Sequence, residues 1–281
     1  MEFVLEVRPP KKERFFMPLP ASGTLTVGRE APADLVIPDQ LVSRSHFQIL
    51  CEDMIHILTD KGSSNGTYVN GVRLRQAVLK PRDTIFAGRT AIRIAAVMDG
   101  KVLLDSLPET PGELLPWQNK LIAALESICN FVVLDGAVTP AVRDLLNQAG
   151  VFYQSLYEGE QSAAFAVNGP YLAEIQKGGQ LLPFLIKVGW GNSWGVFLST
   201  KTDFPETRKH LRHFLIVDIE GGKQALFRFY DPRVMRVFIP ACNAEQRAEF
   251  FGQVQHFFVE SEAKTIVNRY SARANEQFQL A

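Results

Sequence analysis

Three short polar motifs lie in the first quarter of the chain, and their residue types suit the binding of a phosphate group. They are Gly28–Arg29, Ser43–His46 and Ser63–Thr67. Each motif falls between two short apolar runs, where the loops at one end of a β-sandwich present their side chains together. The three motifs are therefore expected to form one surface.

The side chains of these motifs supply the donors that a phosphate ester needs. Arg29 and Arg44 offer planar guanidinium groups that match phosphate oxygens. Ser43 and Ser64 add hydroxyl donors, and the amide of Asn65 can both donate to and accept from a peptide backbone. Neither a nucleophile–base pair nor a set of metal ligands accompanies them. The motifs therefore predict binding of a phosphate ester without its cleavage.

The segment that must position these motifs, residues 1–98, has the pattern of an all-β domain. Short apolar runs alternate with turn signals, as in a sandwich or barrel. In one run, Phe47, Ile49 and Cys51 share one strand face, which predicts that they are buried. The segment holds 13 Lys and Arg against 10 Asp and Glu, whereas the whole chain is neutral at 30 against 30.

In their order and spacing, the three motifs resemble those of the forkhead-associated (FHA) domain, a β-sandwich that binds phosphothreonine. The resemblance implies that Arg29, Ser43, Arg44 and Ser64 contact the phosphate and that Asn65 contacts the peptide backbone. It also implies that three residues hold the loops in shape rather than contact the ligand: Gly28, His46 and Gly66. One alternative stays open, an FHA fold that binds unmodified protein.

The remaining sequence predicts a linker at 99–116 and a second domain at 117–265. Prolines and charges mark the linker. The second domain mixes helical spacing with short apolar runs, so the predicted fold class is an all-β sandwich followed by a mixed α/β (α+β) domain. Helices are expected at 179–188, 203–213 and 244–251. Strands are expected at 162–167, 195–200, 214–219, 224–229 and 253–259. Residues 266–281 are expected to be a polar tail.

One serine motif in the second domain permits a catalytic interpretation. Ser193 lies in a G-x-S-x-G pattern, and Asp203 and His210 follow in the chain order of an α/β-hydrolase triad. That fold needs a strand before the serine and a helix after it, whereas the sequence predicts the reverse. His210 and His213 could share a helix face, but a metal site would need a further ligand. No catalytic residue, metal or cofactor is therefore assigned.

A charged corner is the densest polar feature of the second domain. It combines Arg228, Asp231 and Arg233, and Arg212 could join it from the preceding helix. Arginine–carboxylate pairs in such corners usually fix the architecture. A partner-binding surface stays open as the alternative.

The segment from about 117 to 262 resembles the adaptor or chaperone domain of bacterial type VI secretion. The resemblance implies a non-catalytic domain that loads a secreted effector onto the valine-glycine-repeat spike protein. The motifs that carry it are Leu134–Ala137, Ser155–Gly159, Gly169–Leu172, Trp194–Gly195, the His-Leu-Arg of 210–212 and Phe227–Val234.

The composition argues against several other classes of protein. A net charge of zero disfavours a nucleic-acid binder, and no apolar run is long enough to span a membrane. The three cysteines are scattered and form no metal or disulfide pattern, which favours a reduced, cytoplasmic setting. The resemblance to type VI secretion adaptors implies that the cytoplasm is that of a bacterium.

The sequence therefore predicts a cytoplasmic adaptor. Its expected partners are a secreted effector, the spike protein and a phosphothreonine-containing protein. Two alternatives stay open: a serine hydrolase regulated by a phosphopeptide module, and a general phosphothreonine signalling scaffold.

Overall fold

A computed structural model of the chain describes residues 2–52, 55–98, 101–103, 112–139, 141–158, 168–219 and 222–280. The described residues divide into two compact units. The first contains the residues up to 103 together with Arg143–Gln154 and Glu158, and the second contains 112–142, Ser155–Tyr157 and 168–280. The strand predicted at 162–167 and most of the predicted linker lie outside the described residues.

The first unit is a sandwich of two sheets. Its strands are β1 (Glu2–Arg8), β2 (Phe15–Pro18), β3 (Gly23–Gly28), β4 (Leu35–Val36), β5 (Phe47–Glu52), β6 (Ile55–Asp60), β7 (Thr67–Val69), β8 (Val72–Arg73), β9 (Gln76–Leu79), β10 (Thr84–Ala87), β11 (Thr90–Met98) and β12 (Lys101–Leu103). One sheet has the order β2-β1-β11-β10-β7-β8, with β12 also paired to β11, and the other has the order β4-β3-β5-β6-β9. All pairs are antiparallel except β3 with β4.

Alternation of apolar and polar residues sets the core of the sandwich. Phe47, Ile49 and Cys51 of β5 are at most 1% exposed. Leu5 and Val7 of β1 are fully buried and belong to the same apolar cluster. Because side chains of a strand alternate between its two faces, this pattern fixes which face of each strand points inward. The predicted burial of the β5 residues is confirmed.

A short segment from later in the chain completes the first unit. It covers most of helix α2 (Val142–Ala149) and the start of strand β14 (Tyr153–Ser155). Asn147 donates from Nδ2 to Asn70 Oδ1 at 3.0 Å and accepts from the Tyr153 hydroxyl at 2.6 Å. The Tyr153 ring also packs edge-on against Phe86, with 5.2 Å between centroids. These contacts tie the segment to the β7–β8 turn and to β10.

The second unit mixes helices and strands. The remaining helices are α1 (Pro116–Ile128), α3 (Leu181–Phe184), α4 (Phe204–His213), α5 (Pro232–Ala241) and α6 (Ala244–Phe251), and a π-helix (Leu185–Gly189) continues α3. The remaining strands are β13 (Phe131–Asp135), β15 (Pro170–Glu174), β16 (Gly195–Thr200), β17 (Ile216–Ile219), β18 (Lys223–Leu226), β19 (Val254–Glu260), β20 (Ile266–Tyr270) and β21 (Asn275–Gln279). Six of them run in the order β15-β13-β16-β19-β20-β21, and β17 pairs with β18 separately.

A cluster of phenylalanine rings forms much of the core of the second unit. Phe250 of α6, which is 1% exposed, has Phe214, Phe238 and Phe257 within 5.2 to 5.4 Å of its ring centroid. Rings in edge-to-face contact stabilise a core beyond the area that they bury. The cluster therefore joins α4, α5 and α6 to strand β19.

Most of the predicted helices and strands of the second unit are present, with two differences. The strand predicted at 224–229 ends at Leu226, because Asp231 caps a helix that the sequence analysis missed. Asp231 Oδ1 accepts from the backbone amide of Arg233 at 2.9 Å, and Pro232 occupies the first helical position. The polar tail predicted at 266–281 contains β20 and β21, since each pairs with its neighbour along its whole length.

Candidate functional site

The first two motifs of the first unit lie side by side because Gly28 has no side chain. A Cβ at Gly28 would collide with the carbonyl of Arg44, whose carbon would lie 2.8 Å away. The Arg29 amide donates to the Ser43 carbonyl at 3.0 Å. Arg29, at the end of strand β3, therefore lies beside the loop that carries Ser43 and Arg44.

His46 connects the second motif to the third. Its Nδ1 accepts from the Ser43 amide at 2.9 Å, and its Nε2 lies 3.2 Å from the Gly66 carbonyl. A backbone amide can only donate, so Nδ1 carries no proton and Nε2 donates to Gly66. The ring is fully buried, and this burial lowers the pKa of His46 despite the Gly66 carbonyl and the nearby Asp60 carboxylate. His46 thus holds the loops in shape from within.

The loop of the third motif folds around the carboxylate of Asp60. Oδ1 accepts from the amides of Gly62 and Ser63 at 2.8 and 2.9 Å. Oδ2 accepts from the hydroxyls of Ser63 and Thr67 at 2.6 and 2.5 Å. Partial burial raises the pKa of Asp60, but the hydrogen bonds from Ser63 and Thr67 outweigh it, so the net shift is downward. The carboxylate therefore stays ionised and fixes the backbone that presents Ser64 and Asn65.

This framework brings the five predicted binding residues together on one set of loops. The Ser64 amide donates to Ser43 Oγ at 3.1 Å, and Asn65 Nδ2 donates to the Leu41 carbonyl at 2.7 Å. Arg29 and Arg44 lie on the neighbouring loops. All of these side chains are exposed except that of Ser43, which is half-buried.

Both arginines are free to meet an anion. Arg29 Nη1 makes one long contact of 3.4 Å with the Gln40 carbonyl. Arg44 pairs with Glu30 at 3.7 Å, but the two side chains are 80% and 53% exposed, so this ion pair is weak. Two guanidinium groups, two hydroxyls and an amide thus lie on neighbouring loops. This arrangement can bind a phosphate ester; which residues contact a ligand stays a prediction.

Two aspartates that support the loops were missed by the sequence analysis. One is Asp60, and the other is Asp39, which accepts from the amides of Leu41 and Arg89 at 2.9 and 2.7 Å. An aspartate followed two residues later by a turn amide is a sequence signal for such a loop. The Asp60-to-Gly62 spacing carries this signal, whereas the contact with Arg89 spans 50 residues and only the tertiary structure forms it.

The serine motif of the second unit does not form a hydrolase triad. Ser193 donates from its amide to Glu260 Oε1 at 2.8 Å, with its hydroxyl 3.4 Å from the same atom. Asp203 caps α4, and His210 Nε2 lies 2.9 Å from the Phe250 carbonyl. A helix precedes the serine and a strand follows it, as the sequence predicts. The cavity beside this loop measures about 10 Å³, which holds one water molecule at most.

The residues of the charged corner make contacts within the second unit, and its role as scaffold or partner-binding surface stays a prediction. Arg228 donates to Asp135, which is fully buried, and Arg233 binds both oxygens of Asp231 at 3.0 and 2.7 Å. Arg212 donates from Nε to the Leu156 carbonyl at 2.9 Å. The guanidinium groups of Arg228 and Arg212 are thus engaged within the unit.

The described residues contain neither a metal-binding cluster nor a membrane-spanning helix. No group of three or more His, Cys, Asp or Glu side chains that could hold a metal ion occurs within them. None of the helices they form is long and apolar enough to cross a membrane.

Both parts of the chain match known protein families. Residues 25–88 match the FHA domain, and residues 130–249 match a domain of unknown function, DUF4123. The chain therefore carries an FHA domain in its N-terminal part and a DUF4123 domain after it. FHA domains take part in phosphothreonine-dependent protein interactions. The predicted FHA sandwich followed by a mixed helix-and-strand region is confirmed.

Curated relatives match about a quarter to a third of the chain. The oxoglutarate dehydrogenase inhibitor of Corynebacterium diphtheriae is 36% identical over 76 residues, which is 27% of this chain and 51% of that protein. The glycogen accumulation regulator GarA of Mycolicibacterium smegmatis is 34% identical over 86 residues, 31% of this chain and 52% of that protein. The matched segment thus spans about half the length of these relatives.

Solved FHA structures are also similar. The FHA domain of CT664 from Chlamydia trachomatis is 27% identical and aligns over 35% of this chain and 100% of that one, with a TM-score of 0.33. The FhaA FHA domain, solved with the intracellular domain of Rv3910, is 27% identical over 33% of this chain and 98% of that one, with a TM-score of 0.30.

Proposed function

We propose that this chain is a non-catalytic bacterial adaptor that joins a phosphothreonine-binding FHA domain to a cargo-holding DUF4123 domain. The observation that carries the first half of this proposal is the loop set of the first unit. Arg29, Ser43, Arg44 and Ser64 supply positive charge and hydroxyl donors at one place, and Asn65 stands beside them. We assign the phosphate to the first four residues and the peptide backbone next to the phosphothreonine to Asn65.

Binding of phosphothreonine predicts a strong dependence on Arg29. Removing a charge-assisted hydrogen bond to phosphate costs about 1.5–3 kcal/mol, which is roughly a ten- to hundredfold loss of affinity. The test is calorimetry of the full chain and of Arg29→Ala with a phosphothreonine peptide and its unphosphorylated form. Lys101→Ala, an exposed cation on β12 in the other sheet, is the control of equal charge change. Equal binding of both peptides by the full chain would replace this proposal with a phosphate-independent clamp.

The second half of the proposal assigns the DUF4123 domain to cargo. Its support is the resemblance to type VI secretion adaptors, whose motifs fall mainly within the matched residues 130–249. We propose that the domain holds a secreted effector and brings it to the spike protein in the bacterial cytoplasm. Neither domain is assigned a catalytic step.

A groove on the second unit offers a surface for such cargo. It has a volume of about 990 Å³ and lies between helix α5 and the hairpin of β20 and β21. Val237, at 73% exposure, is an apolar side chain on its wall, and Arg236 and Glu276 add charge. Protein interfaces typically combine exposed apolar side chains with polar and charged neighbours.

Affinity purification from a type VI-competent cell tests the cargo assignment. Full chain is expected to recover an effector and the spike protein, and Val237→Ser is expected to recover less of both. The control is Ile216→Ser, at 58% exposure on β17, which removes another exposed apolar side chain away from the groove. Both substitutions should leave stability within about 0.5 kcal/mol, because the residues are exposed. Recovery of neither protein by the full chain refutes the secretion role, and equal recovery by Val237→Ser moves the cargo surface elsewhere.

A further inference from the structure

The outer face of the sheet β4-β3-β5-β6-β9 carries apolar side chains where a solvated sheet face is usually polar. Side chains of a strand alternate between its two faces, so the neighbours of the buried residues in β5, β6 and β9 point outward. Ile55 of β6 and Val78 of β9 are 53% and 60% exposed. Leu50 of β5 and Ile57 of β6 are partly exposed. Exposed apolar side chains that adjoin one another commonly mark a protein interface.

Strand register arranges this face in three rows that run across β5, β6 and β9. Leu50 pairs with Ile57, and Ile57 pairs with Val78, so these residues form an apolar row. Lys80 directly follows β9 and continues its register. The apolar row is flanked by a charged row of Glu52, Ile55 and Lys80 and by an amide row of Gln48, Thr59 and Gln76.

We propose that this face is a self-complementary interface through which two copies of the chain associate face to face. In a two-fold dimer the same patch of both subunits is used, and an axis along β6 exchanges β5 with β9. This axis places Leu50 opposite Val78 of the partner subunit. Ile57 then meets Ile57 of the partner subunit. Sheets that pack face to face keep their strands within about 30° of each other, so an axis along a strand gives an ordinary aligned packing.

The same axis brings opposite charges together. Glu52 comes to lie opposite Lys80 of the partner subunit, and the symmetry repeats this pair once more. Both side chains are exposed. In the amide row, Gln48 comes to lie opposite Gln76 of the partner subunit, and two amides can each donate and accept. Each of the three rows therefore matches itself after the rotation, which favours a second copy as the occupant of this face.

The size of the face predicts a weak dimer. Strands lie about 4.8 Å apart, and alternate residues of one strand lie about 6.7 Å apart, so three strands and three rows cover a flat area of about 300 Å² on each copy. Interdigitating side chains bury more than this, but the total stays below the roughly 1,200 Å² of a stable interface. Lys61, which follows β6 at the end of the amide row, also meets its own copy. We therefore expect a Kd of about 0.1–1 mM.

A weak dimer of this kind becomes populated when two chains are held on one partner, because the effective concentration then reaches the millimolar range. The axis also sets where the binding loops lie. These loops precede β5 at Phe47 and follow β6 at Asp60, which pair with each other at one end of the two strands. A rotation about β6 leaves that end common to both copies. The dimer therefore presents two sets of loops on one side, and a partner with two phosphothreonines fits this arrangement if the proposed function holds.

Sedimentation of the full chain without any peptide tests the dimer independently of the proposed function. At about 150 mM salt, the average mass is expected to rise from that of a monomer toward that of a dimer between about 10 μM and 1 mM protein. Ile55→Lys should weaken association at least tenfold, because two lysines would meet at the axis. The control is Met98→Lys, at 50% exposure on β11 of the other sheet, which should associate normally. A monomer mass up to 1 mM, or an equal loss in the control, overturns the inference.

Charge reversal tests the orientation of the two copies. Glu52→Lys and Lys80→Glu should each weaken self-association about tenfold, since each variant faces like charges in both pairs. A mixture of the two variants should associate at least as well as the natural chain, because both pairs of the mixed dimer are then opposite in charge. Weak association of the mixture means that the copies do not meet about β6 and overturns the proposal. Unchanged melting temperatures verify that the variants are folded, and a chain that dimerises but binds no phosphopeptide refutes only the proposed function.

Discussion

Replacement of Asp60 by alanine should separate the folding of the FHA domain from its ability to bind a phosphopeptide. The substitution removes acceptors for four hydrogen bonds of 2.5 to 2.9 Å from Gly62, Ser63 and Thr67. A hydrogen bond to a charged group contributes about 1.5–3 kcal/mol, so four of them set an upper bound near 6–12 kcal/mol. Because Asp60 is only half-buried, water can form hydrogen bonds in place of the lost ones and offset much of this free energy. We expect a loss of about 2–3 kcal/mol in the ordering of the loop.

This loss falls on the loop and leaves the core intact. The apolar cluster of the sandwich contains neither Asp60 nor the loop that follows it. If the loop adopts its binding geometry only a few per cent of the time, the apparent Kd rises by the inverse of that fraction. A cost of 2–3 kcal/mol then corresponds to roughly 30- to 150-fold weaker binding of a phosphothreonine peptide.

Calorimetry with the phosphopeptide and urea unfolding of the full chain measure the two effects separately. Asp83→Ala is the matched control, because Asp83 accepts from Asn70 Nδ2 at 2.7 Å and the Lys80 amide at 2.8 Å in a different turn. Asp60→Asn should fall between alanine and the natural residue. Unchanged affinity in Asp60→Ala, or an equal loss in Asp83→Ala, would refute the reasoning.

The same hydrogen bonds determine the pH range over which Asp60 stabilises the loop. Hydrogen bonds from Ser63 and Thr67 hold the pKa of Asp60 below its ordinary value in spite of burial. A depressed pKa means that the carboxylate contributes its full stability above the unfolded value of about 3.9. That contribution is lost as the pH falls through the lower, folded value. Between pH 5 and 8, Asp60 is therefore not expected to limit binding.

Three further predictions follow from the contacts. Gly28→Ala should unfold the FHA domain or weaken phosphopeptide binding more than tenfold, because the added methyl collides with the Arg44 carbonyl; normal affinity and melting temperature would contradict this. Burial lowers the pKa of His46, so its contribution to the free energy of unfolding is complete above about pH 6.5 and declines as the pH falls toward the pKa of the folded state. Urea unfolding at pH 7.5 and 5.5 should therefore show a larger loss of stability for the full chain than for His46→Gln. Arg228→Ala should destabilise the second unit by about 2 kcal/mol, because it leaves the buried Asp135 without its counter-ion. Asp135→Asn in the same chain should restore part of the loss. Denaturation curves that show no such coupling would mean that the ion pair contributes nothing to stability.

Residue type and short-range pattern were enough to predict much of this protein. Alternation in β5 fixed the buried face, because a strand presents successive residues to opposite sides. The bounds of α6, 244–251, were also predicted, because its cap Asn243 and its stop Gly252 act within a few residues of the helix ends. The five candidate binding residues were named from their side-chain chemistry and from the resemblance of their motifs to those of an FHA domain, and their contact with a ligand stays a prediction.

Where the sequence pattern fits two kinds of local structure, tertiary contacts determine which one forms. Asp231-Pro232 fits a turn as well as a helix start, and burial of Met235 and Ile239 selects helix α5. The polar strands β20 and β21 carry weak apolar alternation, so backbone pairing with β19 decides their structure.

Contacts between residues far apart in the chain could not be predicted from the sequence. The link from Ser43 through His46 to Gly66 and the anchoring of Asp39 at Arg89 both depend on how strands bring distant loops together. Such contacts follow from strand order and register, which no local pattern encodes. The sequence by itself determined what chemistry the loops can offer, and the tertiary structure decided which of these groups meet.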